Sequence, residues 1–133
     1  MIFLDSNIPM YLVGGPHPHK FDAQILLRRL SDADIRLVTD AEVLQEIVHR
    51  FSAIKRNAVI DLALQAILDV VDEVFPIMKT DVLRAAQIVQ HPALFSARDA
   101  LHIAVMERMA IRSILTFDSD FDKWPGLERI YRV

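Results

Sequence analysis

The stretch IFLDSN, residues 2–7, contains a short apolar run that ends in an aspartate and is followed by residues that often begin helices. A short apolar run followed by a helix start is typical of a strand buried on both faces of a parallel sheet. The run SILTF, residues 113–117, has the same character and is followed by Asp118. We therefore expect two central strands whose ends present Asp5 and Asp118.

Helical and strand patterns alternate through the rest of the chain. Further strands are predicted at three apolar runs, residues 35–38, 74–78 and 128–133. Pro76 places the run that contains it at a sheet edge, because proline cannot donate a hydrogen bond to a neighbouring strand. Helical spacing of apolar residues predicts a first helix from Ser6–Asn7 to a break near Gly14–Pro16, then helices at 20–31, 39–51, 56–73, 80–90 and 97–110. Thr39 and Glu42 form a capping-box pattern at the start of the helix at 39–51.

Strands separated by helices imply parallel pairing with right-handed crossovers, and hence a three-layer α/β/α sandwich. The length of 133 residues and the 53% hydrophobic composition fit one compact domain over residues 1–133. Because the chain has no cysteine, a disulfide framework, a thiolate metal site and a cysteine nucleophile are excluded.

The composition also bears on location and partners. The first residues lack a charged, apolar leader pattern, and no run approaches the roughly 20 apolar residues that cross a bilayer. We therefore expect a cytoplasmic protein without a membrane partner. The formal net charge of −3 argues against a general basic surface, so any contact with a polyanion is expected to be local.

Four acidic residues lie at predicted strand ends or inside the helices that follow: Asp5, Glu46, Asp99 and Asp118. In a parallel α/β sheet these positions gather along one edge, so carboxylates remote in sequence can meet in one crevice. A cluster of carboxylates attracts a hard divalent cation such as Mg²⁺ or Mn²⁺. The pattern therefore predicts metal-dependent phosphodiester chemistry.

Two of these acids have structural explanations that compete with the metal site. Asp5 can cap the helix that follows it, although Ser6 and Asn7 are equally good caps, so one residue can cap while another serves chemistry. Glu46 lies too deep in its helix for capping, but on general grounds a surface ion pair with Arg50 four residues later is about as frequent as a functional role.

The helix at 97–110 carries an acid and a histidine one turn apart. Asp99 can complete a capping box with Ser96, and this explains the aspartate without a metal. His102 can be a core histidine bonded to the backbone, and it is given a supporting role. After the strand at 113–117, Asp118 is favoured over Asp120, which is the second choice in the acidic run.

Other candidate motifs are weaker. The segment PHPH, residues 16–19, places two histidines among prolines, and no second pair of metal ligands lies near them in the sequence. A loop is therefore a better interpretation than a zinc site. The chain has no glycine-rich phosphate-binding motif and no G-x-S-x-G motif, so the acids remain the main candidates for chemistry.

Four segments closely resemble the PIN-domain family, and within it the VapC-type toxin ribonucleases: FLDSN, VLQEI, SARDALHIA and LTFDSDFD. The resemblance spans essentially the whole chain, and the motifs stand in the family's order. It implies a five-stranded parallel sheet of order 3-2-1-4-5. By similarity, Asp5, Glu46, Asp99 and Asp118 match the family's acidic quartet, and Asn7 and Thr116 match supporting positions near the metal.

The resemblance also implies a function. Such proteins are Mg²⁺- or Mn²⁺-dependent endoribonucleases, usually homodimers, and a cognate antitoxin neutralises them by reaching into the acidic groove. In this hypothesis, Asp5, Asp99 and Asp118 hold one or two ions that orient a water against the RNA, and Glu46 holds a water or shares the second ion. The candidates for binding RNA phosphates near the acids are Arg50, Arg56 and Arg98.

Two alternatives remain. A catalytically silent module could use the same fold to bind RNA or a partner protein, although loss of one of the four acids would then be expected and all four are present. A purely structural explanation treats every acid as a cap or surface charge; it accounts for Asp99 well and for Glu46 poorly.

Overall fold

The computed structural model describes residues 1–92 and 95–132, and these ranges contain five strands and six α-helices. The strands are β1 (Ile2–Leu4), β2 (Leu37–Asp40), β3 (Glu73–Phe75), β4 (Ser113–Leu115) and β5 (Glu128–Ile130). The helices are α1 (Asn7–Val13), α2 (Pro18–Asp32), α3 (Ala41–Ala53), α4 (Ile60–Leu68), α5 (Lys79–Ile88) and α6 (Ala97–Arg108). Short 3-10 helices occur at Asn57–Val59 and Ser119–Lys123. Of the helices in these ranges, none is both long and apolar enough to span a bilayer.

All strand pairs are parallel, and the sheet order is β3-β2-β1-β4-β5. The predicted order is therefore confirmed. β1 lies at the centre, where Phe3 is in register with Val38 of β2 and Ile114 of β4. β3 forms an edge, as Pro76 predicts, and the proline itself follows the last strand residue.

Helices surround the sheet, and the predicted α/β architecture is confirmed. α1 packs on α2 and α4, α5 packs on α6, and α3 contacts both α4 and α6. The three residues of β1 are buried, and the side chains of Phe3 and Leu4 are fully shielded from solvent. Apolar side chains of this size each contribute about 1.5–3 kcal/mol when fully buried, so the central strand anchors the core.

The start of α3 differs from the prediction. The strand predicted at 35–38 runs instead from Leu37 to Asp40, so Thr39 is a strand residue and the predicted Thr39 cap is wrong. The Thr39 hydroxyl donates a hydrogen bond of 2.8 Å to the Leu4 carbonyl in the neighbouring strand. Asp40 has extended backbone and caps α3, because its Oδ1 accepts from the Val43 N–H at 2.9 Å.

Other boundaries also shift. The helix predicted at 56–73 divides into the 3-10 turn at Asn57–Val59 and α4, which ends at Leu68. α2 begins at Pro18, where proline suits a first helical turn, and the His17 side chain accepts a bond from the His19 N–H. Part of the loop predicted at 91–96 and the end of the strand predicted at 128–133 lie outside the described residues.

An ion pair joins α5 to the end of α6. The Asp81 carboxylate is buried and accepts hydrogen bonds from the Arg108 guanidinium at 2.8 and 3.0 Å and from the Met78 N–H at 2.8 Å. Arg108 also donates to the Pro76 carbonyl. Burial alone would raise the pKa of Asp81, but the bonds from Arg108 and Met78 outweigh it and lower the pKa below its ordinary value.

We predict that Asp81→Asn lowers the free energy of unfolding by about 2 kcal/mol at pH 7, because it weakens charge-assisted bonds to a buried group. A carboxyl whose pKa is lowered by folding stabilises the protein above its ordinary pKa, about 4, and loses this contribution as the pH falls further. Urea unfolding at pH 7 and pH 3 measures the difference, which should shrink at the lower pH. Asp32→Asn, at the exposed end of α2, is the control and should change little; equal effects of the two variants would contradict the prediction.

Candidate metal centre

The carboxyl ends of the central strands bring polar side chains to one edge of the sheet. Asp5 follows β1, Asp40 ends β2, and Thr116 follows β4. The backbone continues the sheet a little further at this edge, since the Asp5 N–H donates to the Leu115 carbonyl at 3.1 Å. All three side chains are buried, so each requires a polar partner.

Asp5 is held rigidly by hydrogen bonds. Its Oδ1 accepts from the Ser6 N–H at 2.7 Å, and its Oδ2 accepts from the Thr116 hydroxyl at 2.7 Å. Asn7 Nδ2 donates to the same Oδ2 at 3.3 Å. Burial raises the pKa of Asp5, although the positive charge of His102 and these hydrogen bonds act the other way. Asp5 therefore occupies the predicted position at the crevice, with its orientation determined by neighbouring side chains.

Asn7 and Thr116 link the ends of β1 and β4. Asn7 Nδ2 donates to the Thr116 hydroxyl at 2.8 Å, and Asn7 Oδ1 accepts from the Phe117 N–H at 3.3 Å. The Thr116 oxygen also accepts from the Asp118 N–H at 3.1 Å. Asp118 Oδ1 in turn accepts from the Asp120 N–H at 2.9 Å. Asn7 and Thr116 therefore connect the Asp5 carboxylate to the backbone of Phe117 and Asp118.

His102 lies between two carboxylates. Its Nδ1 is 2.7 Å from Asp40 Oδ2, its Nε2 is 2.5 Å from Glu46 Oε1, and the ring is fully buried. Glu46 also accepts a bond of 2.9 Å from the Ser6 hydroxyl through its other oxygen. The backbone-bonded histidine and the Glu46–Arg50 pair that the sequence left open are therefore not the arrangements adopted.

The contacts between His102 and the two carboxylates change the pKa values of His102 and Glu46. Burial favours the neutral imidazole, but the carboxylates of Asp40 and Glu46 outweigh it and raise the pKa of His102 well above its ordinary value. Burial likewise raises the pKa of Glu46, whereas the hydrogen bond and the charge of His102 lower it below the ordinary value on balance. The raised pKa favours the protonated imidazole, and in that form both ring nitrogens donate to carboxylates.

Asp99 stands in the first turn of α6. The Ser96 hydroxyl accepts a bond of 3.1 Å from the Asp99 N–H, which confirms Ser96 as the cap of the helix. The half-buried Asp99 carboxylate accepts no hydrogen bond or ion pair from the rest of the described chain. Burial, followed by the negative charges of Asp5 and Asp118, raises its pKa to about 7.

Two groups of donors have ligand atoms within 4.8 Å of one another in the described ranges: Asp5, Glu46 and His102, and Asp99, Asp118 and Asp120. The negative charge of Asp5, in the first group, contributes to the raised pKa of Asp99, in the second. The two groups therefore lie near each other at one edge of the sheet. Oxygen donors dominate this set, and carboxylate oxygens suit Mg²⁺ and Mn²⁺. Several carboxylates face each other with His102 as the buried cation between two of them, so the donor set fits a hard divalent ion.

The arginines are distributed unevenly around this edge. Arg98 is exposed on α6, and its charge acts on Glu46. Arg50 is exposed on α3 and lines a cavity that Asn7 also lines. Arg56 precedes the 3-10 turn and forms no hydrogen bond or ion pair with the acids in residues 1–92 and 95–132. The structure therefore brings Arg98 near Glu46 and places Arg50 at a cavity shared with Asn7, and it provides no such link for Arg56.

The sequence did not identify Asp40 as a residue of this edge, and it did not predict the contact that Ser6 makes there. Asp40 was hidden because Thr39 was expected to cap α3, yet it follows an apolar strand just as Asp5 and Asp118 do. That shared position is the signal that could have found it. Ser6 was expected only as a possible cap, and its hydroxyl bonds to Glu46, which is 40 residues away in sequence.

Comparisons with known proteins give consistent results. A family model described as PIN domain matches residues 2–127. Ribonuclease VapC13 of Mycobacterium tuberculosis is 56% identical over 130 residues, which are 98% of this chain and 99% of that protein. The crystal structure of M. tuberculosis VapC20, a sarcin-ricin loop cleaving toxin, has a TM-score of 0.78 at 23% identity, covering 96% of this chain and 98% of its own. VapBC2 of Rickettsia felis, bound to a promoter DNA fragment, has a TM-score of 0.75 at 17% identity and 98% coverage of both chains.

We predict that Asp99→Asn stabilises the metal-free protein at pH 8. A carboxyl whose pKa is raised by folding makes the protein less stable as the pH rises from about 4 to 7, and the full cost is present above pH 7. Removing that charge should raise the midpoint of thermal unfolding by about 4 °C, the shift that roughly 1 kcal/mol produces in a domain of this size.

Thermal unfolding in excess chelator at pH 8 and pH 4 measures this effect. The gain should be much smaller at pH 4, where the wild-type carboxyl is protonated in the folded chain and only about half ionised in the unfolded chain. Asp32→Asn serves as the matched control. A lower midpoint for Asp99→Asn at pH 8 would show that the negative charges do not repel one another as described.

Proposed function

Because this chain belongs to the PIN-domain family, we propose that it is a metal-dependent endoribonuclease that hydrolyses RNA phosphodiester bonds and acts as the toxin of a type II toxin–antitoxin pair. A relative named as a ribonuclease shares 56% of its residues along nearly the whole length of both chains. Identity at this level supports a shared activity, whereas the more distant structural relatives support the fold alone.

The observation that carries the proposal is the meeting of Asp5, Asp99 and Asp118 at one edge of the sheet. Each comes from a different part of the chain, and the negative charges of Asp5 and Asp118 both raise the pKa of Asp99. Carboxylates brought together without a bound cation disfavour one another, and Mg²⁺ or Mn²⁺ relieves this repulsion. We propose that these three residues hold the metal and that Glu46 completes the centre.

The reaction divides between the ion and the side chains around it. A divalent ion held by Asp5, Asp99 and Asp118 would supply Lewis-acid chemistry for the hydrolysis. Thr116 and Asn7 hold the Asp5 carboxylate in one orientation, and His102 does the same for Glu46. Positioning residues of this kind commonly support metal ligands. No protein nucleophile is required, which agrees with a chain that lacks cysteine.

Partners and location follow from the same proposal. We propose a cognate antitoxin as the partner, since one structural relative is a VapBC complex, and a cytoplasmic location where the RNA substrate occurs. We also propose a homodimer. Exposed apolar side chains that could support such contacts are Phe21, Ile54, Leu62, Leu68, Val82 and Leu83.

We predict that Asp99→Asn reduces Mg²⁺-dependent cleavage of a labelled single-stranded RNA by about 100-fold or more, since even residues that only support a metal ligand are worth 10- to 100-fold. Single-turnover cleavage assays with purified protein, with and without chelator, measure the rates. Asp32 lies at the end of α2 that leads into the start of β2, at the edge of the sheet opposite the acids. Asp32→Asn should therefore cleave RNA as wild type does. Equal rates for wild type and Asp99→Asn would end the nuclease proposal.

We further predict that wild-type protein binds Mn²⁺ in calorimetric titration and that Asp5→Asn abolishes or strongly weakens the binding. Asparagine retains the shape of Asp5 and an oxygen acceptor, so circular dichroism should report an unchanged fold. A catalytically silent RNA- or protein-binding module would show no Mn²⁺ binding that depends on Asp5. That result would favour the alternative function over the enzyme.

A further inference from the structure

Four aromatic rings cluster beside the acidic edge: Tyr11, His17, His19 and Phe117. The rings of His19 and Phe117 stack with centroids 4.2 Å apart and an interplanar angle of 3°. Tyr11 contacts the other three, with centroid distances of 4.7 Å to His17, 5.1 Å to His19 and 5.6 Å to Phe117. His17 is exposed and the other three rings are partly exposed, so the cluster is a surface feature.

The cluster adjoins the proposed metal centre through Phe117. Its backbone N–H donates to Asn7 Oδ1, and Asn7 donates to both Asp5 and Thr116. Tyr11 and His17 also line a cavity of about 400 Å³, and the same cavity is lined by Asn7 and Arg50. The rings, the cavity and the acids therefore form one continuous surface, with Asn7 shared between them.

We propose that this aromatic cluster is a stacking subsite for a base of single-stranded RNA, next to the phosphodiester bond that the acidic centre cleaves. The inference rests on the proposed ribonuclease function and deepens it. Unpaired bases stack on aromatic side chains, and this contact is independent of the backbone charge. Arg50, on the α3 side of the cavity, binds the phosphate that accompanies the stacked base.

Charge explains why such a subsite is needed. The chain carries a formal charge of −3, and the catalytic edge concentrates carboxylates that repel a phosphate backbone. Among the described residues that line the cavity, none is acidic and Arg50 is basic. The cavity is therefore the part of this surface where a nucleotide meets rings and a cation, so base stacking supplies affinity that the overall charge does not.

The test uses fluorescence anisotropy with a labelled single-stranded RNA of mixed sequence, about 12 nucleotides long. Binding is measured in the Asp99→Asn background with Mg²⁺ present, so that the RNA is not consumed. Tyr11→Ala is expected to weaken binding on the order of 10-fold, the usual effect of removing one stacking ring. Tyr11→Phe retains the ring and should restore wild-type affinity.

Two further variants separate stacking from structure. His17→Asn removes the ring but retains a side chain that caps α2 well, so it should weaken RNA binding without destabilising the helix. Gln24→Ala removes an exposed side chain from the same helix that is not part of the cluster, and it should leave binding unchanged. Thermal unfolding of each variant checks that the fold is intact.

A fully abasic oligomer of the same length identifies the chemical group that is recognised. In the Asp99→Asn background, the protein with Tyr11 should bind this oligomer more weakly than the RNA with bases, and Tyr11→Ala should lose most of that difference. If Tyr11→Ala binds the base-containing RNA as tightly as wild type, the cavity serves another ligand, such as a protein segment, and the subsite is overturned.

The two proposals fail in different ways. Failure of the ribonuclease proposal appears as absence of Mg²⁺-dependent RNA cleavage by the wild-type protein. Failure of the subsite alone leaves wild-type cleavage intact and leaves the Michaelis constant of Tyr11→Ala unchanged. Success of both gives a Tyr11→Ala enzyme that cleaves RNA with a raised Michaelis constant, and a Tyr11→Phe enzyme that matches wild type.

Discussion

The buried side chain of His102, bonded to two carboxylates, joins three separate elements at the acidic edge of the sheet. It bonds to Asp40 at the end of β2 and to Glu46 in the middle of α3, while His102 itself belongs to α6. A charge with no access to water is tolerated only when it is fully paired, so these distances leave little freedom. Because the other oxygen of Asp40 caps α3, the same contact determines where α3 begins and where Glu46 lies.

The rest of the edge carries more negative charge than His102 can balance. Burial is the main cause of the raised pKa values of Asp5 and Asp99, and the negative charges of Asp5 and Asp118 raise that of Asp99 further; a hard divalent ion is the complement of such a carboxylate cluster. In the proposed function, this clustering of buried carboxylates costs stability locally and creates the metal site, a trade that is common at functional sites. The aromatic cluster beside Asn7 has a different character, with little charge and exposed rings. A phosphodiester substrate has both a charged backbone and flat bases, and the two halves of this surface complement those two parts.

Much of the fold could be predicted from local patterns. Apolar runs identified the strands, and the carboxyl ends of parallel strands predicted that Asp5 and Asp118 meet at one edge. The predicted start of α3 was wrong because Thr39 and Asp40 are both good caps. Which of them caps the helix depends on the Thr39 hydroxyl, which bonds to Leu4 in another strand. The segment 16–19 was interpreted as a loop, although Pro18 begins α2 and His17 caps it. The first error arose where a contact with a remote residue outweighed the local preference, whereas the second overlooked a local signal, a proline suited to a first helical turn.

The sequence alone determined the parallel sheet, its central strands and the acids available for a metal, because apolar periodicity and strand-end position are local properties of the chain. Only the tertiary structure decided which partners those acids have. Residues far apart in sequence come into contact: His102 with Asp40, Ser6 with Glu46, and Tyr11 with Phe117. These contacts form only when the helices pack on the sheet. Side-chain pairing across such distances depends on helix packing, which no local pattern encodes.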